Sequence, residues 1–380
     1  MRSKSLALIA LGTGLAVAMT ACGANTSGGG TDTGASDTNT NSGSGGAKVG
    51  VILPETASSA RWEGFDKPLL KKALEAEGLQ ADIQNAQGDV QKFSTLADGM
   101  INAGVKVLII ATPNSEIGAT VAKKAEAQGI PVIDYDRLNL GGSSKYYVSF
   151  DNEKVGELQG QGLVQGLAAL APDKKPAEVI EIEGAPTDNN ATLFYNGQQK
   201  VLKPKYEAGD FKLVQSQPID NWDNQKGGTT FEQILTGNGQ KVDGVVAAND
   251  GLAGAVITVL KKYGLNGKVP VTGQDATPEG LQAILRGDQF MTVFKPINEQ
   301  ADATAKLAAA LAKNDTAAAD ALATGVTKDT KGNRDVKSVL LPAQLITKDK
   351  VKTVVDAGFV KATEICGGDL AAVCTELGIK

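Results

Sequence analysis

The 380-residue chain contains no histidine, three cysteines, two tryptophans and 4% aromatic residues in all. Without histidine, Ser–His–Asp and Cys–His nucleophile systems lose their base, and most catalytic zinc sites lose their usual ligand. No glycine-rich phosphate loop of the G-x-G-x-x-G or G-x-x-x-x-G-K-[ST] type stands at a strand-to-helix turn, so nucleotide binding has no support. The net charge of −5 leaves no basic stripe of the kind nucleic-acid binding requires. Nothing in the residue set calls for a metal or an organic cofactor. Carboxylate-pair hydrolysis survives these exclusions.

What is present begins with an export signal. Arg2 and Lys4 precede an apolar stretch from Leu6 to Met19, followed by Thr20-Ala21-Cys22. The stretch reads as a signal peptide over 1–21, too short and too rich in Gly and Ala for a membrane span. The small residues before Cys22 resemble a lipoprotein signal, which would make Cys22 the lipidated first residue of the mature chain and a membrane anchor. From Gly23 to Gly46 there is no large apolar residue to offset the entropy of ordering. The segment 22–46 is therefore expected to be a flexible tether with a reach of roughly 25–30 Å. Export also makes a disulfide between Cys366 and Cys374 plausible, the alternative being two buried thiols.

Residues 47–380 are more than one core usually serves, which favours two lobes. β-rich runs alternate with amphipathic segments: Lys48–Leu53, Ala81–Gln84, Val107–Ala111 and Val132–Tyr135 are expected strands, separated by helices over Lys67–Glu77, Val90–Ala103 and Ile117–Gln128. A second series has strands at Glu178–Glu183, Lys212–Ser216, Gly244–Ala247, Val269–Thr272 and Met291–Phe294, with helices starting at Ala191, Trp222, Gly251 and Pro278. The predicted class is α/β, with two similar doubly wound parallel-sheet lobes.

In an open parallel sheet, ligands collect beyond the carboxyl ends of the strands. Those ends are polar here. Arg61-Trp62 comes after the first strand, Asp134-Tyr135-Asp136-Arg137 after Val132-Ile133, and Gly184-Ala185-Pro186-Thr187-Asp188-Asn189-Asn190 after Val179–Glu183. Ile219-Asp220-Asn221-Trp222, Ala248-Asn249-Asp250 and Gly273-Gln274-Asp275 follow in the second series, and Met291–Phe294 runs into Lys295-Pro296. Carboxylates, amides and cationic donors suit the hydroxyls of a neutral sugar, and an indole face covers its C–H patch. The competing reading gives each Trp to loop packing and each Asp to helix capping, which Asp188 and Asp250 would do well. If the pocket reading holds, Trp222→Ala and Asp275→Ala should each weaken binding while leaving the ligand-free protein nearly as stable.

The segments "YDRLN" (135–139), "SFDNEKVGELQ" (149–159), "PTDNNATLF" (186–194), "VVAANDGLAG" (245–254), "TGQDA" (272–276) and "MTVFKPI" (291–297) carry a resemblance. In that order they resemble the sugar-binding receptors of bacterial ABC importers, of the periplasmic binding protein type I superfamily, and within it the xylose-binding branch. The resemblance implies a three-crossing hinge near Phe150–Asn152, Lys295-Pro296 and 336–344. The N-terminal lobe would comprise 47–151 plus 297–336, and the C-terminal lobe 152–296 plus 340–380. It implies no enzyme activity, a monomer that closes on D-xylose, and an importer permease as partner. Arg61, Asp136 and Arg137 would bind from the first lobe, and Asp188, Asn190, Asn249, Asp275 and Lys295 from the second or the hinge edge. Trp62 and Trp222 would stack on the ring. Another aldose (glucose, arabinose or galactose), a sugar-sensing adaptor for a membrane receptor, and a surface glycosidase using two of Asp136, Asp188, Asp250 and Asp275 are the alternatives.

Overall fold

The computed structural model describes residues 46–380. The expected signal peptide over 1–21, lipidation at Cys22 and tether over 22–46 fall on residues outside the described ones, apart from Gly46. No helix among the described residues is long and apolar enough to cross a membrane.

Two larger sheets and a separate two-stranded sheet organise the described residues. The first contains β1 (Lys48–Leu53), β2 (Gln80–Asn85), β3 (Val107–Ile110), β4 (Val132–Tyr135) and β5 (Tyr146–Phe150), laid side by side in the order β2-β1-β3-β4-β5. All these pairings are parallel. β1, β3, β4 and β5 are buried almost throughout, as strands covered by helices on both faces must be. The second sheet has β6 (Ala177–Glu183) between β7 (Phe211–Pro218) and β8 (Gly244–Ala247), again parallel. β9 (Met291–Phe294) comes next in the same half of the molecule.

Three features were not expected from the sequence. β10 (Gly325–Asp329) and β11 (Arg334–Leu341) form an antiparallel hairpin that joins the first sheet, β11 lying parallel to β5. The expected lobe limit at 336 therefore falls inside β11, which runs on to Leu341. β12 (Gln344–Thr347) then pairs antiparallel with β9. The chain accordingly passes between the halves after β5, after β9 and between β11 and β12. Two expected elements also differ. Val269–Thr272 contributes only an isolated bridge from Val271 to Val245, because Thr272 turns its hydroxyl onto the Ala247 backbone. The helix expected from Trp222 begins at Asn224, capped by Asp223, while Asp220–Trp222 forms a single tight turn.

Separate apolar cores fill the two halves, one around Val49, Val107, Ile133 and Val148, the other around Ile180, Ile182, Val245 and Val293. A third packs the C-terminal helices onto Leu281, Ile284 and Phe294, and there Phe65 stacks on Phe359 with ring centroids 4.3 Å apart. Cys366 and Cys374 are joined by a disulfide in this tail.

Candidate functional site

The polar strand ends of both sheets face one another. After β1 the chain enters a wide π-helical turn, Trp62–Asp66, a distortion often found at functional sites. The turn folds Asp66 back under Arg61, whose guanidinium makes paired bonds to Asp66 (Nε to Oδ2 2.9 Å, Nη2 to Oδ1 2.8 Å) and a third to Asp136 Oδ1 at 2.8 Å. The Tyr135 hydroxyl donates to Asp66 at 2.6 Å. Asp136 has φ 64°, and its carbonyl accepts from Tyr147, Ser149 and Asn190.

On the opposite side, Asp188 uses one oxygen to cap the helix Asn189–Glu207 and the other to accept from Trp222 Nε1 (3.1 Å) and pair with Arg137 Nε (3.0 Å). Asn249 caps the helix Asp250–Lys262. Asp250, a helix cap in the competing reading, sits one residue inside, where its buried carboxylate accepts from Gln289, Thr292 and the Thr277 backbone. These bonds brace the turn that carries Asp275. Asp275 (φ 99°) and Ala276 (φ 50°) are both left-handed, as are Asn221 and Trp222 (φ 56° each). Such backbone costs about 1–3 kcal/mol per residue and persists only where the surroundings enforce it. Its concentration at this edge marks a geometry set by something other than local preference. Asp275 pairs with Lys295 Nζ at 3.1 Å, lies 3.9 Å from Arg61 Nη1, and accepts from Ser59 Oγ at 3.0 Å.

All ten residues singled out in the sequence line one cavity. Ser58, Ser59, Phe194 and Gln274 line it as well; none was among the ten, and of the four only Gln274 stood within a polar strand end named from the sequence. Gln274 had a signal, its place beside Asp275; Ser58 and Ser59 had only their nearness to Arg61, and Phe194 reads as an ordinary core position of its helix. The cavity sits between the sheets, since Arg137 to Asp188, Ser59 to Asp275 and Asn190 to Asp136 all join one half to the other. The two indoles occupy it differently. Arg61 and Arg137 lie over the Trp62 ring, 4.5 and 5.2 Å from its centroid. Trp222 meets Phe194 edge-on at 6.3 Å and packs against Gly184.

The electrostatics favour fixed charges. Burial works against the Arg61 charge, but Asp136, Asp66 and Asp275 more than offset it and hold its pKa well above the ordinary value. Burial likewise pushes Asp136 up, and Arg61, Lys295 and Arg137 outweigh it, so its pKa falls below the ordinary carboxylate value. A carboxyl with a depressed folded pKa contributes stability above its unfolded value of about 3.9, lost as the pH falls through the folded value. The contribution of Asp136 should thus stay constant from neutral pH to about 4 and disappear below it. In Asp136→Asn, the acid limb of a melting-temperature profile should lose part of its steepness. A carboxyl held ionised this way is a poor general acid. Asp250, which burial raises to about 7, does not line the cavity.

Gly184 has a specific role in this arrangement. A Cβ built there would stand 2.1 Å from Cη2 of Trp222. Gly184→Ala is therefore expected to push the indole out of place and weaken ligand binding about tenfold or more, which a calorimetric titration would read.

The model of the periplasmic binding protein domain family matches residues 49–316. The chain belongs to that family. This binding protein is 38% identical to the D-xylose-binding periplasmic protein of Escherichia coli (strain K12) over 319 residues, covering 84% of this chain and 92% of the relative. It is 33% identical to a multiple sugar-binding periplasmic receptor of Rhizobium radiobacter, over 83% of this chain and 92% of that one. Among solved structures, a carbohydrate transporter solute-binding protein from Chloroflexus aurantiacus in complex with D-glucose superposes with a TM-score of 0.76 at 31% identity, covering 83% of this chain and 97% of that one. The fold is the type I periplasmic binding protein fold, and the protein is a binding protein and not an enzyme.

Proposed function

We propose that this extracytoplasmic binding protein captures a monosaccharide, D-xylose in the first place, in the cavity between its sheets and delivers it to the permease of an ABC importer. The carrying observation is the cavity itself: two indoles, three cationic side chains and three carboxylates converge on one buried space. The charges are paired among themselves, so an uncharged ligand adds hydroxyl hydrogen bonds without bringing a net charge to neutralise. The 38% identity to a D-xylose-binding protein supports the pentose, while relatives named for several sugars support the wider aldose class.

In this reading residues 47–151 and 297–341 form one lobe and residues 152–296 and 344–380 the other. The three passages between them act as the hinge, and sugar contacting both lobes shifts the protein towards its closed form. Cys22 would hold the assembly to the membrane by a lipid anchor. X-ray scattering should show a smaller radius of gyration with saturating xylose than without; equal values would remove the hinge from the account.

Calorimetric titration with xylose, glucose, ribose, arabinose and galactose tests the specificity. Xylose should bind one to one and most tightly, because a buried polar group left without its hydroxyl costs roughly 1–3 kcal/mol. Tighter binding of glucose would reassign the ligand within the same site, and no binding of any of the five would overturn the reading.

A further inference from the structure

Glu181 and Glu183 stand two residues apart on β6 and so point to the same face, opposite Ile180 and Ile182 of the core. That face lies beneath the helix Asn189–Glu207. Both side chains are buried, with Glu181 fully covered and Glu183 5% exposed. Neither has a Lys or Arg within ion-pair distance among the described residues, although every other buried carboxylate at this end of the sheet is matched by a cation or by hydrogen-bond donors. One oxygen of Glu181 accepts from Tyr206 (2.7 Å) and Gln199 (3.0 Å). The other has no partner, nor does either oxygen of Glu183, nor the side-chain carbonyl of the fully buried Gln198. Four acceptor oxygens are thus left without donors under one helix. Glu183 also lines a separate solvent-open cleft, shared with Thr192, Tyr195 and Ser216, that has no residue in common with the sugar cavity.

We infer that Glu181, Glu183 and Gln198 form a cation site, with Ca2+ the ion that suits it. Unpaired buried carboxylates are costly, and an isolated buried acceptor costs about as much as a lost hydrogen bond. The donor set is oxygen throughout, with two carboxylates and an amide carbonyl, which selects a hard cation over zinc or copper. Ca2+ accepts six to eight oxygens in loose geometry and takes bidentate carboxylates, whereas Mg2+ demands a near-ideal octahedron. The cleft supplies the entry path, and water with the Ser216 and Thr192 hydroxyls can complete the shell. Gly184, which seats Trp222, is the next residue after Glu183, and Asp188 and Asn190 follow at the start of the helix Asn189–Glu207. An ion held here braces the segment that brings Asp188 and Asn190 to the sugar cavity. The site does not depend on which sugar, if any, the protein binds.

The experiment is a thermal melt and calorimetric titration of the EDTA-treated full chain with CaCl2, against MgCl2 and KCl at matched ionic strength. Ca2+ is expected to bind one to one and to raise Tm by several degrees in a saturable way, with a smaller Mg2+ effect. Glu183→Gln should lose at least tenfold in Ca2+ affinity and most of the Tm rise, and Glu181→Gln serves as the second variant should the first fail to fold. A wild-type protein indifferent to Ca2+ overturns the proposal. So does a Ca2+ response that both variants retain, or a calcium-free Glu183→Gln that melts higher than a cation-insensitive wild type, which would show two carboxyls sharing a proton.

Discussion

Arg61→Ala is expected to abolish measurable sugar binding at ordinary ligand concentrations, at least about 100-fold weaker than wild type, and to lower the melting temperature by about 5–10 °C. Both effects have one cause. The guanidinium is 3% exposed and is the shared partner of Asp66 and Asp136, with Asp275 3.9 Å away. Removing one member of a buried charge cluster leaves the others unpaired, which typically costs about 3–5 kcal/mol; in a chain longer than about 250 residues each kcal/mol moves Tm by no more than roughly 2 °C. The same change removes a donor from the cavity wall and the cation that lies over Trp62. Arg61→Lys should restore little, because a single ammonium cannot make the paired bonds to Asp66 and also reach Asp136. Near-normal affinity in Arg61→Ala would show that the cluster is scaffolding and not part of the site.

Trp222→Ala should weaken sugar binding by a similar factor, and it should also destabilise the ligand-free protein. This corrects the expectation from the sequence alone, which made Trp222 a pocket residue detached from the core. The indole is 6% exposed, belongs to the apolar core of the second half and packs on Phe194 and Gly184, so truncation opens a cavity and costs about 3–5 kcal/mol. Trp222→Phe separates the two roles. It keeps most of the apolar ring but loses the N–H bond to Asp188, whose other partners are Arg137 and the helix cap. Apolar packing should be largely retained, the stability lost should be no more than the roughly 1.5–3 kcal/mol of one hydrogen bond to a charged group, and affinity should fall only by what the smaller ring gives up in contact with the sugar. Asp275→Asn, which keeps shape but leaves Lys295 without its carboxylate, shows whether the charge itself matters.

Where the candidate residues gather was legible because strand-end logic is local. Each strand of a parallel sheet delivers its next few residues to the same edge, so the positions just beyond Val132-Ile133 and Met291–Phe294 pointed to Arg137 and Lys295 without any knowledge of tertiary contacts, whereas the choice of Asp136 within Asp134-Tyr135-Asp136-Arg137 came from the family resemblance. What was not legible is how those residues are held. That Asp66 folds back under Arg61 depends on a π-helical turn that no periodicity signals, and the left-handed backbone of Asp136, Trp222 and Asp275 is imposed by contacts distant in sequence, such as Asn190 to the Asp136 carbonyl. The fold divides in the same way. Buried strands such as Gly244–Ala247 announce themselves by composition, while the β10–β11 hairpin alternates exposed and buried residues at the edge of the first sheet, with Val326 61% exposed. Its assignment rests on pairing with β5, nearly two hundred residues earlier in the chain.

The chain's only two tryptophans both line the proposed sugar cavity, so its intrinsic fluorescence carries no tryptophan signal from elsewhere. Titrating xylose while recording tryptophan emission and heat on the same preparation tests the central claim. A saturable change in emission at the affinity and one-to-one stoichiometry given by calorimetry is the expected result. Heat of binding with unchanged emission would place the sugar away from both indoles and contradict the account.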